Sequence, residues 1–582
     1  MTSFRVWAPR ARRVDLILRR DQRHPLEGPD EFGWFTADVD AAPGEDYAYS
    51  LDGGAPRPDP RSPWQPEGVH GPSRLVDHAA FGWTDAGWAG GVPLPEAVVY
   101  ELHVDTFSDD ATYEGVIPRL DHLVDLGVTH VELLPVVEYP GRWGWGYDGV
   151  DLYAPNALDG GPEGLKRLVD ACHAKGLAVI FDVVYNHLGP SGNYLGEYGP
   201  YFTDRYGTPW GEAVNLDGPD SDPVREFVLD NAVMWLRDYH ADGLRLDAVH
   251  AIVDTSATHI LEELAGRVDE LEADLGLSRR SGHGGQAKSL IAESDLNDPR
   301  VVADRALGGY GMDAQWSDDF HHALHAALTG ERDGYYADFG SLAQLAKALR
   351  QAFVYDGAYS PHRRRRHGRT PAGIPLTRFL GYLQNHDQVG NRANGERSSM
   401  LLSDGLLKVA AALVLLGPSV PMLFQGEEWG ASTPFLYFTD HDDPELGKAV
   451  TEGRRREFAA FGWDPDEVPD PQDPETFRRS KLNWDELAEP RHAGLLDWHR
   501  RLIALRRSLP AGAGEVTVDV DEGGRWLVLV RGPITVACNL GEAPASVPVA
   551  SGNVVLASAD GAGVEDGHIV LAPESAIVLL DP

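Results

Sequence analysis

A chain of 582 residues, with 42% hydrophobic and 24% charged side chains, has the composition of a globular protein and is long enough for two to four domains. Its 51 basic and 90 acidic residues give a formal net charge of −39 at pH 7. Because such a charge repels phosphate backbones, anionic lipids and acidic polysaccharides, it argues against nucleic-acid and membrane partners and favours a neutral substrate.

No stretch of the sequence approaches 18 uninterrupted apolar residues, and no apolar segment follows a basic start at the N-terminus. We therefore expect neither a membrane span nor a signal peptide. The two cysteines, Cys172 and Cys538, are far apart and lie in no metal-ligand spacing, so we expect reduced, buried thiols in a cytoplasmic protein. The only basic run, from Arg363 to Arg366, is interpreted as a solvated loop.

The first predicted region, residues 1–90, contains short segments of alternating polar and apolar residues between Gly, Pro and Asp turns. Alternation of period two is typical of strands with one buried face. We predict an N-terminal β-sandwich of immunoglobulin-like type here. Its predicted strands are FRVWAP, RVDLILR, WFTADV and DYAYSL.

A different pattern begins near residue 97, where nearly continuous apolar strands alternate with amphipathic helices. Apolar runs of this kind predict a parallel sheet covered on both faces, and eight of them predict a closed (β/α)8 TIM barrel. The class is α/β, and the catalytic barrel is assigned to residues 91–512. The predicted strands cover residues 97–104, 129–135, 177–184, 243–247, 289–293, 312–316, 379–385 and 420–425.

Two further segments complete the predicted organisation. The stretch from about 185 to 222 is too long for an ordinary loop, so we predict a small excursion over the active face after the third strand. Residues 513–582 return to strand patterns such as GEVTVDV and ITVACNL, which predict a C-terminal β-sandwich.

Polar side chains close four of the predicted barrel strands. They are Asp182, Asn186 and His187 after the third strand, Arg245, Asp247 and His250 at the fourth, Glu293 and Asp295 at the fifth, and Asn385, His386 and Asp387 at the seventh. A single such residue has a structural interpretation too: Asp182 could hydrogen-bond backbone, and His250 could brace a neighbour. Because barrel enzymes take their catalytic groups from the C-terminal ends of strands, four such ends together predict an active site.

Two carboxyl groups suffice for glycoside hydrolysis with retention of configuration. One attacks the anomeric carbon while ionised, and the other must stay protonated near neutral pH so that it can protonate the leaving oxygen. Arg245 lies two residues before Asp247 on an extended strand, so both point to the same face and the guanidinium favours an ionised Asp247. We therefore predict Asp247 as the nucleophile and Glu293 as the acid.

Four motifs, DVVYNH (182–187), GLRLDAVH (243–250), IAESD (291–295) and YLQNHD (382–387), resemble in order and spacing the four motifs of the α-amylase superfamily. The resemblance runs from about residue 97 into the C-terminal sandwich and is highly specific. It implies Asp247 as nucleophile, Glu293 as acid/base and Asp387 as a third catalytic carboxylate that binds sugar hydroxyls. It also implies that Arg245, His187, His386 and the stacking aromatic Tyr147 line the −1 subsite.

Within that superfamily, FRVWAPRARRVDLIL resembles the early sandwich of branching enzymes, isoamylase-type debranching enzymes and maltooligosyltrehalose trehalohydrolases. Three features favour the trehalohydrolases: the acid motif IAESDLNDPR, the run QWSDDFHHALHAALTGERDGYY, and the segments around QNHDQVGNRANGER and LFQGEEWGASTPFLYF. The resemblance implies a maltooligosyltrehalose or α-1,4-glucan substrate, cleavage of the α-1,4 bond beside a terminal α,α-trehalose, and trehalose as a product.

Recognition of trehalose is assigned to residues on the leaving-group side. The candidates for hydrogen bonding are Asp318, Asp319, His321 and His322, and the candidates for stacking are Phe320, Trp210 and Phe353. His250, Gln388 and Asn391 are predicted as further substrate-binding residues. The alternative for DDFHH is a helix N-cap followed by solvated side chains. Glu427 and Glu428, beyond the eighth strand, are interpreted as bracing the barrel rim. No calcium-loop spacing is visible near Asn186, Asp204 and Asp217, so we predict no metal and no cofactor.

Two alternatives stay open on the sequence alone. A branching or debranching enzyme would use the same three carboxylates on another bond or acceptor. A non-catalytic glucan-binding protein would keep the barrel as a scaffold and lack one of the carboxylates. For a retaining enzyme we predict a separation of about 5–5.5 Å between the Asp247 and Glu293 carboxyl groups.

Overall fold

The structure is a computed structural model that describes residues 1–277, 287–460, 468–512, 514–549, 552–559, 564–565 and 567–581. Residue 513, where the C-terminal sandwich was predicted to begin, lies outside the described residues. Within them, none of the helices has both the length and the apolar composition needed to cross a membrane. Both cysteines are buried, and neither is paired with another described cysteine.

Parallel strands form a closed barrel in sequence order, with the eighth strand paired to the first through Met422 and Val99. This confirms the predicted TIM barrel. The eight strands, all within the described ranges, are Val99–Leu102, His130–Leu133, Ala178–Val183, Gly243–Leu246, Ser289–Ala292, Ala314–Trp316, Phe379–Gly381 and Val420–Phe424.

Apolar side chains cover both faces of these strands, as the nearly continuous apolar runs require. Val99, Ile180, Ile291 and Trp316 belong to a cluster distinct from the larger core around the barrel. Seven of these eight described strands end one to four residues before their predicted ends, and the sixth ends at Trp316 as predicted. At several of these ends, polar residues leave the ladder and turn into the rim. After Gly381, for example, Asn385 caps a short helix by accepting a hydrogen bond from the Gln388 N–H (2.8 Å).

Helices return the chain between strands and surround the barrel. The longer ones are Gly161–Ala174, Asp222–Asp238, Ile260–Asp274, Asp318–Thr329, Leu342–Gln351, Asp404–Leu415, Pro444–Ala460 and Pro490–Arg507. The shorter ones are Val104–Phe107, Tyr113–Val116, Leu120–Leu126, Leu195–Tyr198, His386–Gly390, Ser398–Leu401 and Pro474–Arg479.

The segment after the third strand contains the helix Leu195–Tyr198 and a hairpin made of Phe202–Thr208 and Gly211–Val214. A second hairpin, Asp356–Ser360 with Arg365–Gly368, contains the basic run. The prediction of a solvated loop is therefore wrong in part: the arginines are mostly exposed, but the run enters a strand, and Arg363 pairs with Asp295 at 2.9 Å.

The N-terminal region forms two antiparallel sheets, which confirms its β character. Among the described residues the strands are Thr2–Trp7 with Trp34–Val39, and Gln22–Pro25, Val14–Leu18, Asp46–Leu51 and Ser73–Arg74 in that spatial order. Trp7 meets Tyr201 edge-on (5.2 Å between ring centroids), and Arg61 pairs with Asp230 at 2.8 Å. These contacts join the sheets to the excursion and to the helix Asp222–Asp238.

The C-terminal region also forms two sheets. Its described strands are Val516–Asp521, Trp526–Arg531, Ile534–Asn539, Ser575–Leu580 and Asn553–Ala557 in one sheet, and Ala545–Pro548, His568–Leu571 and Val564–Glu565 in the other. Arg525 donates to the Ala327 carbonyl (2.7 Å) and Arg350 to the Val518 carbonyl (2.9 Å), so this region rests on helices of the barrel.

Candidate active site

Arg245 lies at the centre of the polar rim and is almost fully buried. Its Nη1 donates to both carboxylate oxygens of Asp182 (2.8 and 2.6 Å) and to Asp247 Oδ1 (3.0 Å). Its Nη2 donates to Glu293 Oε2 at 2.6 Å. The guanidinium also lies over the Trp316 ring, 4.2 Å from the centroid. One cation therefore ties together carboxylates from three adjacent strands.

Asp247 follows the fourth strand and holds its charge. Burial alone would raise the pKa of its carboxyl group, but Arg245 and the nearby His187 outweigh burial and lower it below the usual value. Asn186 contributes a hydrogen bond from its amide to Asp247 Oδ2 (2.7 Å). The result is a carboxylate that stays ionised at neutral pH, as a nucleophile must.

Glu293 follows the fifth strand and has the opposite electrostatic character. Burial raises its pKa well above the usual value, and the neighbouring carboxylates of Asp247, Asp387 and Asp318 add to that rise. The Arg245 guanidinium acts in the other direction and is outweighed. Glu293 therefore retains a proton near neutral pH, as a general acid must.

The backbone between these two carboxyl groups fixes their relation. Ala248 adopts a left-handed conformation (φ 38°) that non-glycine residues rarely take. Its N–H donates to Glu293 Oε2 at 2.9 Å, and the next N–H, of Val249, donates to the Glu293 carbonyl at 2.9 Å. The turn after the fourth strand thus holds the acid at the end of the fifth.

Asp387 lies in the first turn of the helix His386–Gly390. Its Oδ1 accepts a hydrogen bond from Asn391 Nδ2 (2.5 Å), and Asn391 Oδ1 in turn accepts one from Arg454 (3.0 Å). The structure therefore brings Asn391, predicted to bind substrate, into contact with Asp387. Gln388 is buried, and its Oε1 meets no hydrogen-bond partner among the described residues.

Tyr147, His386 and His187 surround the same pocket. The Tyr147 hydroxyl contacts Asp182 Oδ2 (2.5 Å) and His386 Nε2 (2.8 Å), and the rings of Tyr147 and His386 stack with centroids 5.2 Å apart. His187 contacts the Tyr147 carbonyl through Nε2 (3.0 Å) and stacks on Trp210 (4.3 Å between centroids). Trp210 lies at the turn of the excursion hairpin, so that hairpin reaches His187.

Two residues of the DDFHH run, Asp318 and His322, have polar atoms on one face of the helix, and the other three contact neighbouring elements. Asp318 accepts a hydrogen bond from the Tyr382 hydroxyl (2.5 Å), and burial raises the pKa of its carboxyl group to about 7. His322, one helical turn later, stacks on Tyr335, and its Nδ1 has no hydrogen-bond partner in the described part of the chain. Residues four apart share a helix face, so Asp318 and His322 present polar atoms to the same side.

Four of the predicted trehalose-binding residues have side chains that contact other parts of the protein. Asp319 turns its Oδ2 to the N–H groups of Val354 (2.6 Å) and Tyr355 (2.8 Å). His321 contacts the Leu383 carbonyl and the Tyr336 hydroxyl through its two ring nitrogens (2.7 and 2.8 Å).

Phe320 and Phe353 lie in the hydrophobic core, Phe320 against Gly381 and Phe353 against Phe379. These four side chains brace the barrel, because the helix Asp318–Thr329 is covered on nearly every face. The burial of this helix also excludes the alternative of solvated side chains behind an N-cap. In addition, Ser317 occupies the cap position without a side-chain hydrogen bond to the helix.

The remaining predicted residues lie at the edge of the site. His250 is exposed, in the turn Val249–Ala251. Glu428 contacts Tyr100 and His122 (3.2 and 2.7 Å), and Glu427 is also buried, so both brace the rim as interpreted from the sequence. No group of three or more His, Cys, Asp or Glu side chains in the described ranges is arranged to hold a metal ion.

Glu101 was not predicted as a site residue, yet it contacts His386 twice. Its Oε2 accepts the His386 backbone N–H (2.9 Å), and its Oε1 lies 2.6 Å from Nδ1. The sequence held one signal for it: a charged residue near the end of the otherwise apolar first strand, AVVYEL. Its partner lies 285 residues away, which no local pattern reveals.

Matches to known proteins follow the division of the chain into a barrel and two flanking β regions. Residues 98–202 match the α-amylase catalytic domain, residues 1–65 match carbohydrate-binding module 48 (the isoamylase N-terminal domain), and residues 511–578 match a domain of unknown function. A solved structure of a Salmonella typhimurium protein assigned to the α-amylases superposes with a TM-score of 0.90 at 37% identity, covering 100% of this chain and 97% of that one. The protein is thus a glycoside hydrolase of the α-amylase class.

Relatives of full length narrow the class to one family. The chain is 52% identical to a malto-oligosyltrehalose trehalohydrolase of Arthrobacter ramosus, with 99% of each chain covered. It is 50% identical to one of Mycobacterium tuberculosis, with 96% of this chain and 95% of the relative covered. The chain belongs to the malto-oligosyltrehalose trehalohydrolase family.

Proposed function

We propose that this enzyme hydrolyses the α-1,4-glucosidic bond next to the terminal α,α-trehalose of maltooligosyltrehalose and releases trehalose and a maltooligosaccharide. The observation that carries the chemistry is that two carboxyl groups, with pKa values displaced in opposite directions, share one buried guanidinium. The names of the full-length relatives support the choice of substrate.

In the first step, Asp247 Oδ attacks the anomeric carbon of the sugar in the −1 subsite. The bond from that carbon to the leaving oxygen breaks, and Glu293 transfers its proton to this oxygen, so trehalose departs as a neutral alcohol. The products on the enzyme are a covalent glycosyl ester of Asp247 and an ionised Glu293. The charge on Asp247 and the proton on Glu293 are the states that their surroundings favour.

In the second step, ionised Glu293 removes a proton from water, and the water oxygen attacks the anomeric carbon. The ester bond to Asp247 breaks, which restores the starting protonation states. Two inversions at one carbon give net retention, so the maltooligosaccharide is released as the α anomer. The expected separation of about 5–5.5 Å between the two carboxyl groups remains a prediction of this mechanism.

The other residues around Arg245 are assigned to the −1 sugar. Asp387 accepts hydrogen bonds from sugar hydroxyls, Tyr147 offers a ring face, and His386 and His187, whose ring nitrogens contact protein groups, line the subsite with their rings. Support comes from their convergence: each of these side chains contacts another member of the group or a residue that holds one. Asn391 acts through Asp387 and not on the sugar.

Trehalose, on the leaving side, is assigned to Asp318 and His322, with His250 and Gln388 as further polar contacts and Trp210 as a stacking surface. Asp318 is close enough to Glu293 to raise its pKa, and His322 has an unused nitrogen within the described structure. A disaccharide without a reducing end offers hydroxyl groups of fixed pattern, which such unused polar atoms can recognise.

Two coarser predictions also remain proposals. We infer domain boundaries at 1–90, 91–512 and 513–582, supported by the last described strand of the N-terminal sheets ending at Arg74 and the last barrel helix ending at Arg507. We also infer a cytoplasmic location from two buried cysteines that form no disulfide with each other.

Product analysis separates the proposal from its rival within the α-amylase class. Purified enzyme is incubated with maltotriosyltrehalose and, separately, with amylopectin, and the products are separated by chromatography. We expect free trehalose and maltotriose from the first. A branching or debranching enzyme would leave maltotriosyltrehalose intact and change the branch content of amylopectin. That result would contradict the proposal.

A further inference from the structure

We infer that Glu101 is a positioning residue that holds His386 as a doubly protonated imidazolium beneath the −1 subsite. This inference deepens the proposed function and rests on it. Glu101 lies near the end of the first barrel strand and His386 at the start of the helix after the seventh, and both side chains are nearly fully buried (1% and 3% exposed).

Contact between the two residues is bidentate. One oxygen of Glu101 accepts the His386 backbone N–H at 2.9 Å, and the other lies 2.6 Å from Nδ1. A carboxylate is an acceptor, so Nδ1 carries a proton and donates it. The backbone contact fixes the orientation of the carboxylate, which leaves the ring little freedom to turn.

The number of available hydrogen-bond donors shows whether the second ring nitrogen of His386, Nε2, carries a proton. His386 Nε2 lies 2.8 Å from the Tyr147 oxygen. Tyr147 has one hydroxyl proton, and Asp182 Oδ2 takes it at 2.5 Å, while Asp182 itself is an acceptor for Arg245. The Tyr147 oxygen can then only accept from His386, so Nε2 must also carry a proton. With both nitrogens protonated, the ring is an imidazolium.

Charged neighbours agree with this count. The titratable and charged groups that face His386 are Glu101 and His103 from the first strand and its end, Tyr147, Arg245 and Asp247 from the rim, and Asp387 from its own helix. Burial would lower the pKa of His386, but Glu101 and then Asp387 outweigh burial and Arg245 and raise it. Burial lowers the pKa of His103 to about 4, so His103 adds no charge at neutral pH.

An imidazolium in this position gives the site a second fixed cation beside Arg245. It balances the negative charges of Asp247 and Asp387, and its Nε2–H donates to the Tyr147 oxygen and so holds that side chain in place at the −1 subsite. The state is lost as pH rises through the pKa of His386. Without the Glu101 carboxylate that pKa falls, so the loss must begin at lower pH.

A substrate that needs no general acid isolates this effect from Glu293. With α-maltosyl fluoride the leaving group is fluoride, so kcat/KM reports the attack of Asp247 without proton donation to the leaving group. We expect Glu101→Gln to lower kcat/KM near pH 7.5 by about ten- to a hundredfold, because a hydrogen bond to a charged group is lost. We also expect the alkaline limb of its pH profile to move to lower pH.

Glu132→Gln is the matched control. Glu132 pairs in register with Glu101 on the second strand and is as deeply buried, but its Oε2 has no hydrogen-bond partner among the residues described. Burial raises the pKa of Glu132 well above its usual value, so the side chain is already neutral and glutamine replaces it with little change of charge. Its pH profile should superimpose on that of the wild type.

The results of these experiments distinguish a failure of the proposed retaining mechanism from a failure of the inference about Glu101. Release of α-maltose from the fluoride by the wild type supports the retaining chemistry whatever the variants do, and release of β-maltose contradicts it. A folded Glu101→Gln enzyme with the wild-type pH profile overturns the role of Glu101. If that variant does not fold, ¹⁵N NMR of the wild-type histidine rings decides, with the His386 resonance identified by its loss in His386→Gln. A neutral His386 ring at pH 7 overturns the inference, and an imidazolium supports it.

Discussion

At the scale of single residues, the guanidinium of Arg245 contacts three carboxylates that differ in what else they bind. Asp182 is tied to Tyr147, Asp247 to Asn186, and Glu293 to a backbone N–H of the left-handed Ala248. Burial and the neighbouring carboxylates raise the pKa of Glu293, whereas Arg245, His187 and Asn186 outweigh burial and lower the pKa of Asp247. Identical chemical groups thereby take the roles of nucleophile and acid.

Replacing Glu293 with Gln removes the transferable proton and keeps the size of the side chain. We expect kcat on maltotriosyltrehalose to fall by about 10²- to 10⁴-fold, while calorimetry still detects substrate binding. α-Maltosyl fluoride should retain its first step, and added azide should restore its turnover because azide needs no general base. An equal loss on both substrates, without rescue by azide, would contradict the assignment.

Replacing Asp318 with Asn tests its electrostatic link to Glu293. The pKa of Asp318 is about 7, so above that pH its charge raises the pKa of Glu293 and keeps the acid protonated. Without this charge Glu293 loses its proton at lower pH, so the alkaline limb of kcat/KM on maltotriosyltrehalose should move to lower pH. The pH dependence of kcat/KM is the measurement. An alkaline limb at the wild-type position would show that the charge of Asp318 does not affect the pKa of Glu293.

At the scale of elements, the helix Asp318–Thr329 shows how one turn can serve both the site and the core. Asp318 and His322 are the two residues that we propose for the leaving side, whereas Asp319, Phe320 and His321 are held by neighbouring elements. The helix is therefore fixed by contacts that have no part in binding, which keeps its polar face rigid.

Replacing Asp319 with Ala separates these two roles. The N–H groups of Val354 and Tyr355 and the amide of Asn297 would lose their acceptor. Each buried donor left without a partner costs about 1–3 kcal/mol, so we expect the free energy of unfolding to fall by at least about 2 kcal/mol. Denaturant unfolding measures this loss. The KM of the folded variant for maltotriosyltrehalose should equal that of the wild type. A raised KM with unchanged stability would instead indicate that Asp319 binds the substrate.

The three carboxyl residues could be picked out from the sequence because they follow strands in short motifs: Asp247 and Glu293 come directly after buried strands, and Asp387 lies in the helix that follows a third. The barrel was predictable because its strands are apolar on both faces. The direction of side chains in DDFHH was not, because a helix covered on nearly every side shows no polar face in its sequence. Short edge strands such as Gln22–Pro25 were missed because they are largely exposed and polar.

At the scale of the whole molecule, the charge of −39 is spread over a chain whose cationic groups are partly used in buried pairs. Like charges on one surface repel and destabilise the compact state, and added salt screens that repulsion. We expect the Tm measured by calorimetry to rise by a few degrees between about 10 and 200 mM sodium chloride. A Tm that falls over this range would show that attractive ion pairs outweigh the net repulsion.

The central claim is a two-step retaining hydrolysis by Asp247 and Glu293 that releases trehalose, and the anomeric form of the first product tests it most directly. Maltotriosyltrehalose is mixed with enzyme, and ¹H NMR spectra are recorded before mutarotation proceeds. The mechanism predicts that free trehalose and the α anomer of maltotriose appear together. Initial formation of the β anomer, or of products without trehalose, would contradict it.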